Sequence, residues 1–188
     1  MTTDQLVTLD AASELLPIWT DWGVQDSQVW VHSLGVSLWT LRGQQLGQVA
    51  MCEAPVPLSI PYSEAGVRLD SVWFDRGTHQ PLLLAEFERY EGLQDMEKLA
   101  GKVRNLLIAH RRWGEAAAVM TLSYWTKGLA SLPPHAEFQR IFREGFVTAA
   151  RERVAGSAKG ELIFFQFVMS EGPDNRLRLS KIIPRGRV

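Results

Sequence analysis

The chain is expected to form an α/β domain, a mixed sheet flanked by helices, and three features of the sequence point to it. Apolar and polar residues alternate in several short runs bounded by Gly, Pro, Asn and Asp, as half-buried strands require. Between those runs the apolar period lengthens to steps of three and four, the signature of amphipathic helices. With 188 residues, 46% of them hydrophobic, there is material for one core and too little length for two full-sized units, so 1–188 is expected to be a single domain.

The N-terminal stretch reads as a short helix capped by Asp10 and carrying Ala11, Leu15 and Trp19, with Pro17 limiting its regularity. Residues 28–38 fit a strand through Val29, Val31, Leu34, Val36 and Leu38, while Gly35 weakens strand and helix alike, so the choice stays open. Strands are expected over 36–42 and 48–53, joined by a turn from Gly43 to Gly47, after which Pro55, Pro57 and Pro61 impose an extended loop. The clearest hairpin pairs 67–75 with 81–90 across Arg76, Gly77, Thr78, His79 and Gln80. Met96, Leu99, Val103, Leu106, Leu107 and His110 then predict a helix over 95–112, and a strand follows Gly114 over 116–125. A second amphipathic helix begins after Pro133 and Pro134, with Phe138, Ile141, Phe142, Gly145 and Ala149 on one stripe. Two last strands, 161–169 and 176–183, flank the turn residues Gly172, Pro173, Asp174 and Asn175.

Composition removes several functional classes. One cysteine, Cys52, excludes an internal disulfide and a cysteine-rich zinc site. A net charge of −1 excludes bulk electrostatic coating of nucleic acid, so any such contact needs a local patch. The chain has no apolar run long enough for a bilayer and no basic, apolar leader after Met1, so a soluble cytoplasmic protein without a membrane partner is expected. There is no phosphate-binding GxxxxGK[ST] loop, no glycine-rich dinucleotide turn, and no motif linking His32, His79, His110 or His135 to a nucleophile. Seven Trp fit either a ring-rich core or a platform for stacking bases.

The chemistry concentrates on the hairpin. With its loop centred on Thr78, paired positions sum to about 156, which sets Phe74 opposite Leu82, Val72 opposite Leu84 and Asp70 opposite Glu86. Glu88 points to the same side as Glu86, two residues on. Both faces of these strands are apolar, Val72, Phe74, Leu82 and Leu84 on one and Trp73, Leu83, Ala85 and Phe87 on the other. Ionised acids on a doubly covered strand must be paired, protonated or metal-bound, and magnesium takes one or two carboxylates. A cross-strand pair between Glu88 and Arg68 would be a purely structural alternative, and a register slip of one residue would separate Asp70 from Glu86. Asp75, beside the turn, reads as a turn residue.

An Asp followed about fifteen residues later by Glu-x-Glu on its hairpin partner, in the segments RLDSVWFD and LLLAEFERYEG, resembles the PD-(D/E)XK nuclease superfamily. The likeness covers about residues 10–125 and implies a restriction endonuclease-like αβββαβ core, with the second helix and last hairpin added to it. It implies that Asp70 and Glu86 hold Mg2+ or Mn2+, that Glu88 completes the metal's shell or takes a proton from the attacking water, and that DNA, or RNA, is cleaved. Two departures stand out: Glu88 occupies the usual Lys position and Leu69 the usual Pro position. Lys102, at the margin of the following helix's apolar stripe, is the candidate for a displaced catalytic lysine, with Lys98 the weaker one and a solvated surface role the alternative for both. Glu14 and Glu53 are candidate accessory ligands. The resemblance further implies a subunit of a restriction, repair or mobile-element system, working as a homodimer or in a larger complex; the alternative is an inactive nuclease-like binding or assembly module.

After Asp174 the chain carries Arg176, Arg178, Lys181, Arg185 and Arg187 and no acid. Arg176, Arg178 and Lys181 are the candidate nucleic-acid contacts, although basic side chains also guard exposed sheet edges. A second basic group, Lys102, Arg104, Arg111 and Arg112, lies along the helix that follows the acids.

Overall fold

A six-stranded mixed sheet separates two apolar layers in the computed structural model, which describes residues 6–25, 28–58, 66–129 and 132–188, the side chains of 28 and 29 excepted. The expectation made for Pro61 lies outside these residues. The elements run α1 (Leu9–Leu15), a π-helical turn (Ile18–Trp22), α2 (Gln28–Gln45), β1 (Val49–Pro55), β2 (Arg68–Phe74), β3 (Pro81–Arg89), α3 (Met96–Arg112), β4 (Val119–Lys127), α4 (His135–Glu144), β5 (Gly145–Val147), β6 (Arg153–Ala155), β7 (Glu161–Glu171) and β8 (Leu177–Arg187). The sheet order is β1-β2-β3-β4-β7-β8, and β5 pairs with β6 as a separate two-stranded ribbon. The β3–β4 and β4–β7 pairs are parallel, while the outer pairs are antiparallel. The C-terminal ends of β3, β4 and β7 and the N-terminal ends of β2 and β8 therefore share one end of the sheet.

α3 fills one layer as its stripe predicts, burying Leu99, Val103, Leu106 and Leu107 against Val72, Leu84 and Leu122. The other layer holds α1 and α2, with Leu38 and Trp39 packed among Trp73, Leu83, Ala85, Phe87 and Phe165. The two faces of the hairpin thus sort as their alternation requires.

Residues 28–45 form one helix, which decides the open choice over 28–38 and corrects the strand expected over 36–42. Val31, Leu34, Leu38 and Trp39 also satisfy helical spacing, so the same residues fit both periods. What decides is tertiary packing. Gly35 lies against the Phe87 ring, and Gly43 against the Trp73 indole and Ala50, so close that a Cβ at either position would collide. The glycines mark close approach of helix to sheet, and the expected turn at 43–47 is a helix terminus instead. Gly47, at φ 81°, ends α2 with paired bonds from Gln48 N to Gly43 O and from Gly47 N to Gln44 O, the Schellman arrangement.

Smaller corrections follow the same logic. Thr8, not Asp10, caps α1 by accepting the Ala11 N–H at 3.2 Å. β2 and β3 hold the expected register at Val72–Leu84, but a bulge sets Phe74 opposite Pro81 rather than Leu82. Asp75 serves the turn, its carboxylate accepting from the Thr78 and Gly77 amides at 2.7 and 3.0 Å. Gly145, at φ 83°, stops α4 and starts β5, so Gly145 and Ala149 leave the expected stripe. Here a Cβ would run into the backbone of Val154 to Gly156. No helix among the described residues is long and apolar enough to cross a membrane.

Candidate functional site

The ladder between β2 and β3 ends at Ser71–Ala85. One step further, where Asp70 and Glu86 come opposite each other, the Asp70 carboxylate takes the place of a backbone acceptor and receives the Phe87 N–H at 2.7 Å. A fork opens between the strands at this point. Asp70 and Glu86 are both buried, Glu86 completely.

Lys102 enters from the second turn of α3. Its Nζ lies 2.9 and 3.1 Å from the two Asp70 oxygens and 2.6 Å from Glu86 Oε2, so one ammonium holds both acids. Asn105, one turn on, places its amide 3.4 Å from the other Glu86 oxygen. Burial, and then the neighbouring Asp70 charge, push the Glu86 pKa well above the usual carboxylate range despite Lys102. Burial works against the charge on Lys102, but Glu86 and Asp70 outweigh it and raise its pKa. The cluster therefore keeps a cation in place at neutral pH.

Asp70 is approached from the opposite side as well. His32 on α2 sits with Nε2 3.8 Å from Asp70 Oδ1, its ring 6.2 Å from that of Phe87. On β1, the register of Cys52 with Ser71 and Ala54 with Leu69 sets Glu53 across from Asp70, and Glu53 itself leaves the ladder at φ 49°. Left-handed backbone is costly for a glutamate, and it interrupts the pairing beside the fork. One ligand atom each from His32, Glu53 and Asp70 lie within 4.8 Å of one another, a group that could hold a metal ion. One imidazole nitrogen and two carboxylate oxygens form a donor set suited to manganese and to similar divalent ions, and less purely oxygen-based than magnesium prefers.

The sequence-predicted residues thus divide. Asp70, Glu86 and Lys102 come together. Glu88, half-buried, accepts the Arg89 N–H at 2.8 Å and has no hydrogen bond or ion pair with Asp70, Glu86, Lys102 or Arg68 among the described residues. Glu86 faces Lys102 and Asn105 rather than the His32 group. Lys98 pairs with Asp95 at 3.2 Å. Of the accessory candidates, Glu53 joins the group and Glu14 does not. His32 and Asn105 carry no motif; His32 becomes legible only once 28–45 is known to be a helix. A cleft of about 380 Å³ between α3 and the β5–β6 ribbon is bordered by Gly101, Arg104, Asn105 and Phe146, and Asn105 connects it to Glu86.

The basic C-terminal residues are not one row. Arg178 is held by both Asp174 oxygens at 2.7 and 2.8 Å and by the Asp21 and Trp22 carbonyls at 3.0 Å. Arg185 donates to the buried Gln166, and Arg187 lies 3.6 Å from Glu161. Arg176 and Lys181 are exposed, with no side-chain hydrogen bond or ion pair among the described residues.

No protein family, curated protein or solved structure matches the chain.

Proposed function

We infer that the protein is a metal-dependent nuclease acting on phosphodiester bonds, with Asp70 as the central acid. The observation that carries this is the convergence on one buried carboxylate of a lysine from one side and of a histidine and a second acid from the other. Support also comes from the element order. A helix, three antiparallel strands, a helix and a strand parallel to the third follow one another from α2 to β4, the arrangement the PD-(D/E)XK resemblance implies.

Asp70, His32 and Glu53 are the residues that would hold a divalent ion. Such an ion, Mn2+ or Mg2+, would polarise the phosphate and supply hydroxide near neutral pH. The chain's own residues do the positioning. Lys102, 19% exposed in its side chain, offers its ammonium to a phosphate oxygen while Glu86 anchors it from below and Asn105 steadies Glu86. DNA is the expected substrate class.

A second function has its own support: Lys102 already compensates both acids, as it would in a nuclease-like fold retained for binding or assembly. The two separate when plasmid and linear DNA are incubated with the purified chain and Mg2+ or Mn2+, beside an Asp70→Ala, Glu86→Ala double variant. Catalysis predicts chelator-sensitive cleavage by the natural sequence alone. Cleavage by both proteins, or by neither, refutes it.

A further inference from the structure

Two tryptophans that the core does not use stand on the surface at the same end of the sheet as Asp70. Trp22 is 62% exposed and Trp30 52% exposed, whereas Trp19, Trp39, Trp73 and Trp125 are fully buried. Trp22 closes the π-helical turn, and Trp30 lies in the first turn of α2, two residues before His32. Beside Trp30, and next to the Gly23 that follows Trp22 in the chain, a cleft of about 210 Å³ is lined by Ile18, Gly23, Val24, Gln25, Trp30 and Arg176.

This surface is rigidly built. Val24 and Leu177 exchange backbone hydrogen bonds at 2.8 and 2.9 Å, tying the segment to the first residue of β8. Arg178 donates to the carbonyls of Asp21 and Trp22, which fixes the turn from outside. Gly23, at φ 74°, lets the chain pass so close to Arg176 and Arg178 that a Cβ would lie 2.9 Å from the Arg176 Cβ. A solvated indole gains nothing from remaining in water, so a fold that holds two of them outward, beside an arginine without a protein partner among the described residues, calls for a ligand with flat rings and negative charge.

We propose that the Trp22, Trp30 and Arg176 surface binds single-stranded nucleic acid, stacking bases on the indoles and pairing a phosphate with Arg176. Stacking on aromatic rings beside a cation tolerates any base, and a cleft this small admits one planar ring rather than a protein side. Its place fits the nuclease assignment, on which its link to the acids rests. β8 is four strand spacings from β2, which carries Asp70, about 19 Å along the strand ends, a gap that a few nucleotides cross. The surface thus names the substrate of the acid site as a single strand or a frayed end.

Binding is measured without metal, by quenching of intrinsic tryptophan fluorescence as short single-stranded DNA is added in a chelator. The natural chain is expected to bind. Trp30→Ala and Trp22→Ala each weaken binding about tenfold, and Trp30→Phe recovers most of it. Arg176→Ala lowers the slope of log affinity against log salt by about 0.7, the value for one phosphate on a single strand. Far-ultraviolet circular dichroism confirms that these surface variants fold. The proposal is overturned if the natural chain does not bind single strands, or if Trp30→Ala and Arg176→Ala bind them unchanged. It is overturned equally if Trp30→Ala loses a protein partner while keeping its affinity for DNA. A chain that binds in this way but never cuts with Mg2+ or Mn2+ refutes the nuclease and leaves the binding surface standing.

Discussion

Two carboxylate–cation clusters occupy the same end of the sheet, and distance alone does not separate them. Arg178 grips Asp174 at 2.7 and 2.8 Å, while Lys102 lies 2.6 Å from Glu86 and 2.9 and 3.1 Å from Asp70. Yet Asp174 is an exposed turn residue, whereas Asp70 and Glu86 are buried among apolar side chains. Water solvates the first pair with or without contact, so little depends on it. In the second, each charge has lost its hydration, and removing one partner strands the others. The lesson is that burial, not geometry, identifies where a charged cluster has been kept for a purpose.

The sharpest test of that difference is Lys102→Met. It leaves two facing acids without their cation and is expected to lower stability by about 3–5 kcal/mol near pH 7, read from urea unfolding. The loss should shrink in acid. Because Glu86 titrates high in the fold, its protonation favours the folded state below the ordinary glutamate value of 4.5, and that contribution is lost as pH rises through the raised value. A Lys102→Met variant as stable as the natural chain at every pH would break the distinction drawn between the clusters.

Histidines titrate in the opposite sense and set an intermediate effect. Burial holds the pKa of His110 and of His135 below the ordinary 6.5. Each therefore contributes stability fully above that value and loses it as pH falls through the lower folded-state pKa. Since Glu86 acts in the other direction over the same range, the histidine contribution is read by comparison: between about pH 7 and about pH 5 the thermal midpoint of His135→Phe should fall less than that of the natural chain. His135 suits that change, since its ring stacks on Phe164 at 4.6 Å and touches the Tyr124 hydroxyl at 3.0 Å. The smallest effect belongs to Arg178→Met, whose unfolding midpoint should stay close to that of the natural chain; a large drop would show that the clamp on Asp21 and Trp22 carries the N-terminal segment.

The hairpin and α3 were legible because their periods are regular. Alternation and loop length set Val72 opposite Leu84, and Lys102 lay at the edge of a clean stripe, with solvent as its alternative to the sheet margin. α2 was not, because its apolar residues cover more than one face and its two internal glycines record collisions with Phe87 and Trp73, side chains distant in sequence. His32 was lost with it. Glu53 was noticed as an acid, but its place opposite Asp70 depends on a β1–β2 pairing whose connection is rich in proline. The β5–β6 ribbon has only three residues per strand, too few for any period to emerge.

The position of Lys102 has a consequence for how the chain folds. The hairpin by itself brings two acids together, so in isolation it is opposed by its own electrostatics. The counter-ion arrives on α3, the crossover that must also dock before β4 can add in parallel to β3. Hairpin and crossover helix therefore stabilise one another in a single cooperative step, and their backbone amides should exchange with solvent at a common rate.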